Sequence, residues 1–327
     1  MASLRFGLVG TGYWARIAHA PALASTDGIE FAAVWGRNPG AATELAAGYG
    51  ARAHDDLGAF LADVDGVAFA VPPDVQAPIA TRAARAGKHL LLEKPIAVGD
   101  AEADGLVKAD ALVKADALVK ADALVKADAL VKADALVEAA EASQVATVVF
   151  FTLRFQSDIR AWLAEVTGRG GWKGGSSSWF GSSLLESSPF NTPWRRDKGA
   201  LWDIAPHCIS VLWAGLGPVD SVTADAGRDD LTYLVLHHQG GATSSVTVTQ
   251  AAGEAAAGFE AYLWGGSGRS AAPGGTNDPV VPLRTALTEL LANARAGQVR
   301  HPCDVRFGRD VVRVLADAQA QLEARNK

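Results

Sequence analysis

The chain has 327 residues, 49% of them apolar and 20% charged, with a formal charge of −6. That is enough for about two domains with real cores, and the balance excludes disordered and collagen-like classes. The acidic excess leaves no broad basic surface for nucleic acid, and two cysteines, Cys208 and Cys303, cannot build a disulfide framework.

The stretch Met1 to Val9 is too short for a signal-peptide core. No run of about 18 apolar residues predicts a membrane span, so a reducing cytoplasm is the expected location. Over the first hundred residues, short apolar runs at Leu4–Val9, Glu30–Trp35, Val67–Val71 and His89–Leu92 alternate with Ala-rich segments of helical spacing. Such alternation predicts βαβ units around a parallel sheet. After about residue 150 the texture changes. A strand is expected at Val148–Leu153 and a helix at Ser157–Val166, before a Gly/Ser-rich stretch, Gly170–Ser177. Period-2 runs at Leu231–His238, Thr243–Thr249 and Phe259–Trp264 predict antiparallel strands of an open sheet, and helices near Pro282–Ala296 and Gly308–Ala324 close the chain.

Between the two textures lies a tandem Ala-Leu-Val-Lys-Ala-Asp hexamer, near-perfect over residues 105–134 with a partial unit at 135–138. Ala, Leu and Lys favour helix, and Asp four residues before Lys, as in Asp110 and Lys114, adds support. A period of six, however, turns successive Leu-Val pairs by about 240° and spreads them over three sides. About 40 helical residues would run about 60 Å, further than a crossover between neighbouring strands needs. The expectation is one expanded crossover helix with some units extruded as an arm or loop; a hexapeptide β-solenoid is the alternative.

Gly10-Thr11-Gly12-Tyr13-Trp14-Ala15 follows the first strand and opens a helical stretch. In a Gly-x-Gly-x-x-Ala turn the first Gly permits the bend, the second lets backbone approach a pyrophosphate, and Ala allows close helix packing. The second strand ends Trp35-Gly36-Arg37-Asn38, with no acid to accept a ribose 2′-hydroxyl. Arg37 could pair with a 2′-phosphate, which favours NADP(H) over NAD(H). Glu93-Lys94-Pro95 falls at the carboxyl end of a parallel strand, where a lysine can donate to a substrate oxygen as it becomes an alkoxide. In Asp203-Ile204-Ala205-Pro206-His207 the acid and the imidazole are four residues apart, and Pro206 requires a helix start or kink there. A neutral His can take a hydroxyl proton near pH 7, while a carboxylate orients the ring or binds substrate. His237 and His238 would face opposite sides of a strand, so no shared metal site is expected.

Gly10-x-Gly12-x-x-Ala15, Ala86-Gly87-Lys88-His89 leading into Glu93-Lys94-Pro95, Arg154-Phe155 and Asp203-x-x-x-His207 stand in an order that resembles the glucose-fructose oxidoreductase/inositol dehydrogenase (Gfo/Idh/MocA) family. The resemblance covers nearly the whole chain outside the repeat. It implies an α/β protein: an N-terminal Rossmann domain, 1–147, carrying the repeat, and a C-terminal α+β domain, 148–327, with an open mostly antiparallel sheet for substrate binding and oligomerisation. It further implies a catalytic Lys94 and His207 with Asp203 positioning substrate or supporting the relay. Cofactor contacts are expected from Gly10, Gly12, Tyr13, Trp14, Ala15, Arg37, Asn38, Val71, Pro72, Glu93 and Lys94. Arg154 reads equally as a site residue or a structural ion pair. Lys198-Gly199-Ala200 departs from a Gly-rich lead-in, and Gln76 stands where His is frequent.

The expected activity is NADP(H)-dependent hydride transfer to or from a secondary alcohol or carbonyl of a sugar, inositol or related polyol, by a homodimer or homotetramer. The alternatives are a non-catalytic NADP-binding sensor on the same scaffold and a dihydrodiol dehydrogenase-like reductase. Trp179, Trp194 and Trp202 are candidates either for stacking on a sugar face or for the core.

Overall fold

A computed structural model describes residues 2–99, 116–275 and 278–325, with 116–125 described by backbone alone. The chain divides into two compact units. The first comprises Met1–Val98, Val131–Phe155 and Asn277–Arg309; the second comprises Gly99–Leu130, Gln156–Thr276 and Asp310–Lys327. Compared with a single cut at 147/148, the first unit also takes in residues up to Phe155 and Asn277–Arg309, and it gives up Gly99–Leu130, which holds most of the repeat, to the second.

The first unit is built in the expected alternation. In chain order it runs β1 (Leu4–Val9), α1 (Ala20–Ser25), β2 (Ile29–Trp35), α2 (Pro39–Ala47), β3 (Arg52–His54), α3 (Leu57–Ala62), β4 (Gly66–Phe69), α4 (Pro73–Arg85) and β5 (His89–Glu93). The helix α5 (Asp116–Ala142), which belongs to this unit from Val131 on, and the strand β6 (Thr147–Phe150) follow. Among the described residues the sheet order is β3-β2-β1-β4-β5-β6, parallel throughout. Both faces are covered, so β1, β4 and β6 read as apolar runs without alternation. The order reverses between β1 and β4, and at such a switch point the loops leaving the carboxyl ends part to form a crevice.

Two strands end earlier than expected by two or three residues, while the other expected strand ends agree to within one residue. The strand at 67–71 ends at Phe69, which frees Ala70 and Val71 for a turn. The strand at 148–153 ends at Phe150, and Thr152–Phe155 wind into a 3-10 turn. The turn buries Leu153 and Phe155 together with Phe151, and Phe155 stacks on Phe150.

The repeat is not extruded over its described part. Asp116–Ala142 is one unbroken helix of 27 residues, about 40 Å long. The Leu-Val pairs do spread around it, with Leu136 buried and Val131 63% exposed. The packing stripe is instead Ala129, Ala133, Leu136 and Ala140, at spacings of four, three and four, so small side chains supply the face that the Leu-Val pairs lack. Units at 105–115 lie outside the described residues.

The second unit contains α6 (Ser157–Arg169), β7 (Trp172–Phe180), α7 (Pro193–Asp203), α8 (Ala205–Leu216), β8 (Val219–Ala226), β9 (Thr232–His238), β10 (Thr243–Thr249), β11 (Gly258–Gly265) and β12 (Gly268–Ala271). Among the described residues its sheet runs β12-β11-β7-β10-β9-β8, antiparallel except where β7 meets β10. The central strand β7 is the Gly/Ser-rich stretch that carries no strand signal. A Cβ at Gly174 would lie 2.7 Å from both the Thr243 oxygen and the Trp264 ring, so the close approach of its neighbours requires the missing side chain. As expected from alternation, His237 is exposed and His238 buried.

Two helices complete the chain: α9 (Val280–Ala296), in the first unit, and α10 (Val305–Arg325). Gln321 on α10 bonds the backbone of Val222 and Ala224 in β8. Cys208 and Cys303 are both buried free thiols, and burial pushes the Cys208 thiol up to about 12. No helix among the described residues is long and apolar enough to cross a membrane.

Candidate active site

The Gly-rich turn leaves β1 at the switch point. Gly10 has φ of +123°, and a Cβ there would sit 2.4 Å from the Ala70 oxygen, so the loops after β1 and β4 meet with no room for a side chain. At Gly12 the opposite holds: a Cβ would find nothing within 4 Å. The backbone there is bare, and a pyrophosphate could approach the N–H groups that open the helix. This open cradle fits a dinucleotide. Tyr13 is exposed and Ala15 fully buried, as an anion turn packed on a helix requires.

The helix after the turn contains a π segment, Ala15–His19, in which the Ala20 N–H reaches the Ala15 oxygen. Pro21 follows and cannot donate, so the wider turn absorbs the missing bond. Trp14 and His19 flank this segment. Both reach the same atom: the Trp14 indole donates to Glu93 Oε1 at 2.7 Å, and His19 Nε2 lies 2.9 Å from it. Glu93 and Trp14 were expected as nucleotide contacts; their side chains bond each other.

Lys94 is half-buried, between Glu93 and Pro95, and its peptide bond to Pro95 is cis. Gln76, fully buried on α4, donates to the Glu93 carbonyl and accepts from the Glu93 N–H, both at 2.8 Å. β4 has ended by this level, so the side-chain amide supplies the bonds that a neighbouring strand would otherwise make.

Arg37 is exposed beyond the end of β2 and has no ion pair among the described residues. The Asn38 side chain caps α2, accepting from Ala41 N at 3.2 Å. Val71 and Pro72 form the turn into α4, and Pro72 accepts the Val75 and Gln76 N–H groups. Arg154 lies over the Phe307 ring at 5.8 Å.

In the second unit Asp203 and His207 straddle a break. α7 ends at Asp203, Ile204 sits between the helices, and Pro206 stands in the first turn of α8, where its missing N–H costs nothing. α7 is itself broken at Gly199, with φ of +64°. A Cβ there would lie 2.4 Å from Asp230 Oδ1, the atom that accepts the Ala200 N–H. Asp203 is 7% exposed, and Arg195 donates to its Oδ2 at 2.7 Å. Arg195 also donates to the Phe190 oxygen and lies over that ring. The His207 ring, 6% exposed, is 5.2 Å from the Trp179 ring.

Burial raises the Asp230 carboxyl above its ordinary range, opposed by the Ala200 and Gln250 N–H groups and reinforced by the charge of Asp203. Arg195, Asp230 and Gln250 are functional candidates that motif reading missed. Arg195 had one signal, since it is the cation two helical turns before Asp203. Asp230 and Gln250 had none, because they arrive from β-strand ends. Trp194 Nε1, Ser182 Oγ and Gln250 Nε2 are buried without a hydrogen-bond partner among the described residues. Trp202 belongs to the core, where its indole meets Gln319.

Comparison with known proteins gives concordant results. The oxidoreductase family GFO/IDH/MocA, described as having an NAD-binding Rossmann fold, matches residues 4–119, and its C-terminal domain matches residues 173–269. A UDP-N-acetylglucosamine 3-dehydrogenase of Acidithiobacillus ferrooxidans is 36% identical over 33% of this chain and 33% of its own length. An inositol 2-dehydrogenase of Rhizobium meliloti is 39% identical over 31% of this chain and 30% of its own. The matched stretch thus spans about a third of these curated relatives. The crystal structure of GenD2 from gentamicin A biosynthesis, in complex with NAD, shares the fold with TM-score 0.78 at 18% identity, covering 100% of this chain and 96% of that one. A putative myo-inositol dehydrogenase from Sinorhizobium meliloti superposes with TM-score 0.76 at 22% identity, over 99% and 98%.

Proposed function

The chain belongs to the Gfo/Idh/MocA oxidoreductase family, and from that premise we propose that it transfers hydride between NADP(H) and a secondary alcohol or carbonyl of a sugar, inositol or related polyol. The observation that carries this reading is the 2.7 Å bond from Trp14, in the Gly-rich turn, to Glu93, next to Lys94. It ties the residue beside a charge-stabilising lysine to the turn that cradles a dinucleotide, an adjacency that a nucleotide sensor has no need of.

The segment 1–147 holds the nucleotide. Gly10, Gly12, Tyr13 and Ala15 cradle the pyrophosphate, and Val71 and Pro72 line the way to the ring. Arg37, exposed past β2 with no acid beside it, supports a 2′-phosphate and so NADP(H) over NAD(H). When bound, the nicotinamide supplies the hydride acceptor or donor. The chain's own groups manage the proton and the charge. In oxidation the role proposed for His207 is to take the substrate hydroxyl proton, and that for the Lys94 ammonium is to stabilise the charge that grows on substrate oxygen. Asp203, held by Arg195, positions substrate and offsets the charge that His207 gains. In reduction the proton returns from His207. The segment 148–327 binds substrate and pairs subunits into a homodimer or homotetramer, for which exposed Tyr233, Val235 and Trp264 on the sheet offer an apolar face. A reducing cytoplasm suits two buried free thiols.

Fluorescence titration with NADPH and NADH, followed by a polyol and aldose screen, tests the proposal. NADPH should bind about tenfold more tightly, and at least one polyol should be turned over. Tight nucleotide binding with no hydride exchange in the whole screen would replace the enzyme by a sensor.

A further inference from the structure

We propose that Gln76 is the positioning residue of Lys94, acting through the backbone on either side of it. Resting on the reading that Lys94 handles charge at a substrate oxygen, the inference names what aims that ammonium.

The Gln76 amide is fully buried, so neither end exchanges its partner for water. Its Nε2 donates to the Glu93 oxygen at 2.8 Å and, at a longer 3.5 Å, faces the Pro95 oxygen, while its Oε1 accepts the Glu93 N–H at 2.8 Å. One side chain therefore grips the residues before and after Lys94. The donor and acceptor assignment is forced, because a reversed amide would aim N–H at N–H and oxygen at oxygen. From the other side, Trp14 and His19 hold the Glu93 carboxylate. The backbone at 93 to 95 is thus clamped between α4 and the helix that follows the nucleotide turn. The Lys94 stem starts from this clamped backbone, so the orientation of that peptide sets the direction in which the side chain leaves it. The Gln at position 76 thereby pairs with a donor and an acceptor at once, which neither Leu nor an ionised Glu can do.

The test uses the intact chain and needs no known substrate. Wild type, Gln76→Met and Gln76→His are labelled with trace acetic anhydride across pH 7 to 11, and acetylation of Lys94 is read by peptide mass spectrometry against the other lysines. NADH binding is followed by fluorescence. In Gln76→Met the Lys94 labelling rate should change at least threefold, with distant lysines unchanged and the NADH Kd within twofold, and Gln76→His should restore part of the wild-type profile. With a polyol substrate, kcat should fall at least tenfold with KM nearly constant, and Gln76→Met should cost nothing further in a Lys94→Ala background. If Gln76→Met melts early, Gln76→Ala carries the same readout. A Lys94 profile identical to wild type in folded Gln76→Met or Gln76→Ala overturns the inference yet leaves Lys94 as the catalytic group. Undiminished turnover in Lys94→Ala overturns the catalytic reading instead.

Discussion

The two halves of the candidate machinery are held by different kinds of force. Around Lys94 the grip is a set of directional hydrogen bonds: an amide on backbone, and an indole and an imidazole on one carboxylate. Around Asp203 it is charge on charge, with Arg195 against a carboxylate 9% exposed and a second acid, Asp230, close enough to feel it. A hydrogen-bonded clamp fixes an angle, whereas a buried ion pair fixes which side chain can stay charged. The lysine half is therefore expected to fail in aim when cut, and the acid half in stability.

The largest effect should come from Lys94→Ala, which removes a charge-stabilising donor. Turnover should drop about 10² to 10⁴-fold, as for other acid-base groups, while the NADPH Kd moves only a few fold. Arg195→Met should act on the other half. It leaves Asp203 buried without its cation, so urea unfolding at neutral pH should show a loss of about 2–4 kcal/mol, and Arg195→Lys should recover only part of it. An unchanged midpoint would mean that the pair contributes nothing and that the contrast between the halves is false.

Two glycines in one turn sharpen the comparison further. Gly10→Ala forces a Cβ to 2.4 Å from the Ala70 oxygen at positive φ, and should cost about 1–3 kcal/mol without any nucleotide present. Gly12→Ala meets nothing within 4 Å, so thermal unfolding should stay within about 0.5 kcal/mol while nucleotide affinity falls about tenfold. Equal melting losses in both would deny Gly12 its role as an open cradle.

The smallest expected effect is a pH slope. His89 sits in the first unit, where its Nδ1 accepts the Ala146 N–H; His238 sits in the second, between Gly217 and Ser244. Burial holds both below the ordinary imidazole value of 6.5. The unfolded chain then binds protons that the folded chain refuses, so stability is full above pH 6.5 and declines as pH falls below it. His238→Gln should flatten that decline in urea titrations between pH 7 and 5, and an unaltered slope would assign it elsewhere.

Much of the fold, and a set of candidate residues for the site, is legible in the sequence. Continuous apolar runs marked the buried parallel strands, alternation marked β9 to β11, and Gly10, Gly12, Lys94, Asp203 and His207 stood out because their chemistry depends on local spacing. β7 was hidden because its signature is an absence of side chains, meaningful only beside Trp264 and Thr243. The repeat is hard to read because Leu and Val are its largest apolar side chains, while Ala129 and Ala133 are among the residues it buries.

What the order of residues determined by itself was the family pattern, the parallel-then-antiparallel layout and the set of candidate residues for the proposed chemistry, since each depends on neighbours within a turn or a strand. Only tertiary structure decided which groups hold them. Gln76 meets Glu93 across 17 positions, Trp14 meets it across 79, and Asp230 meets Ala200 across 30. Contacts at such separations are set by how strands and helices pack, and no local spacing encodes them.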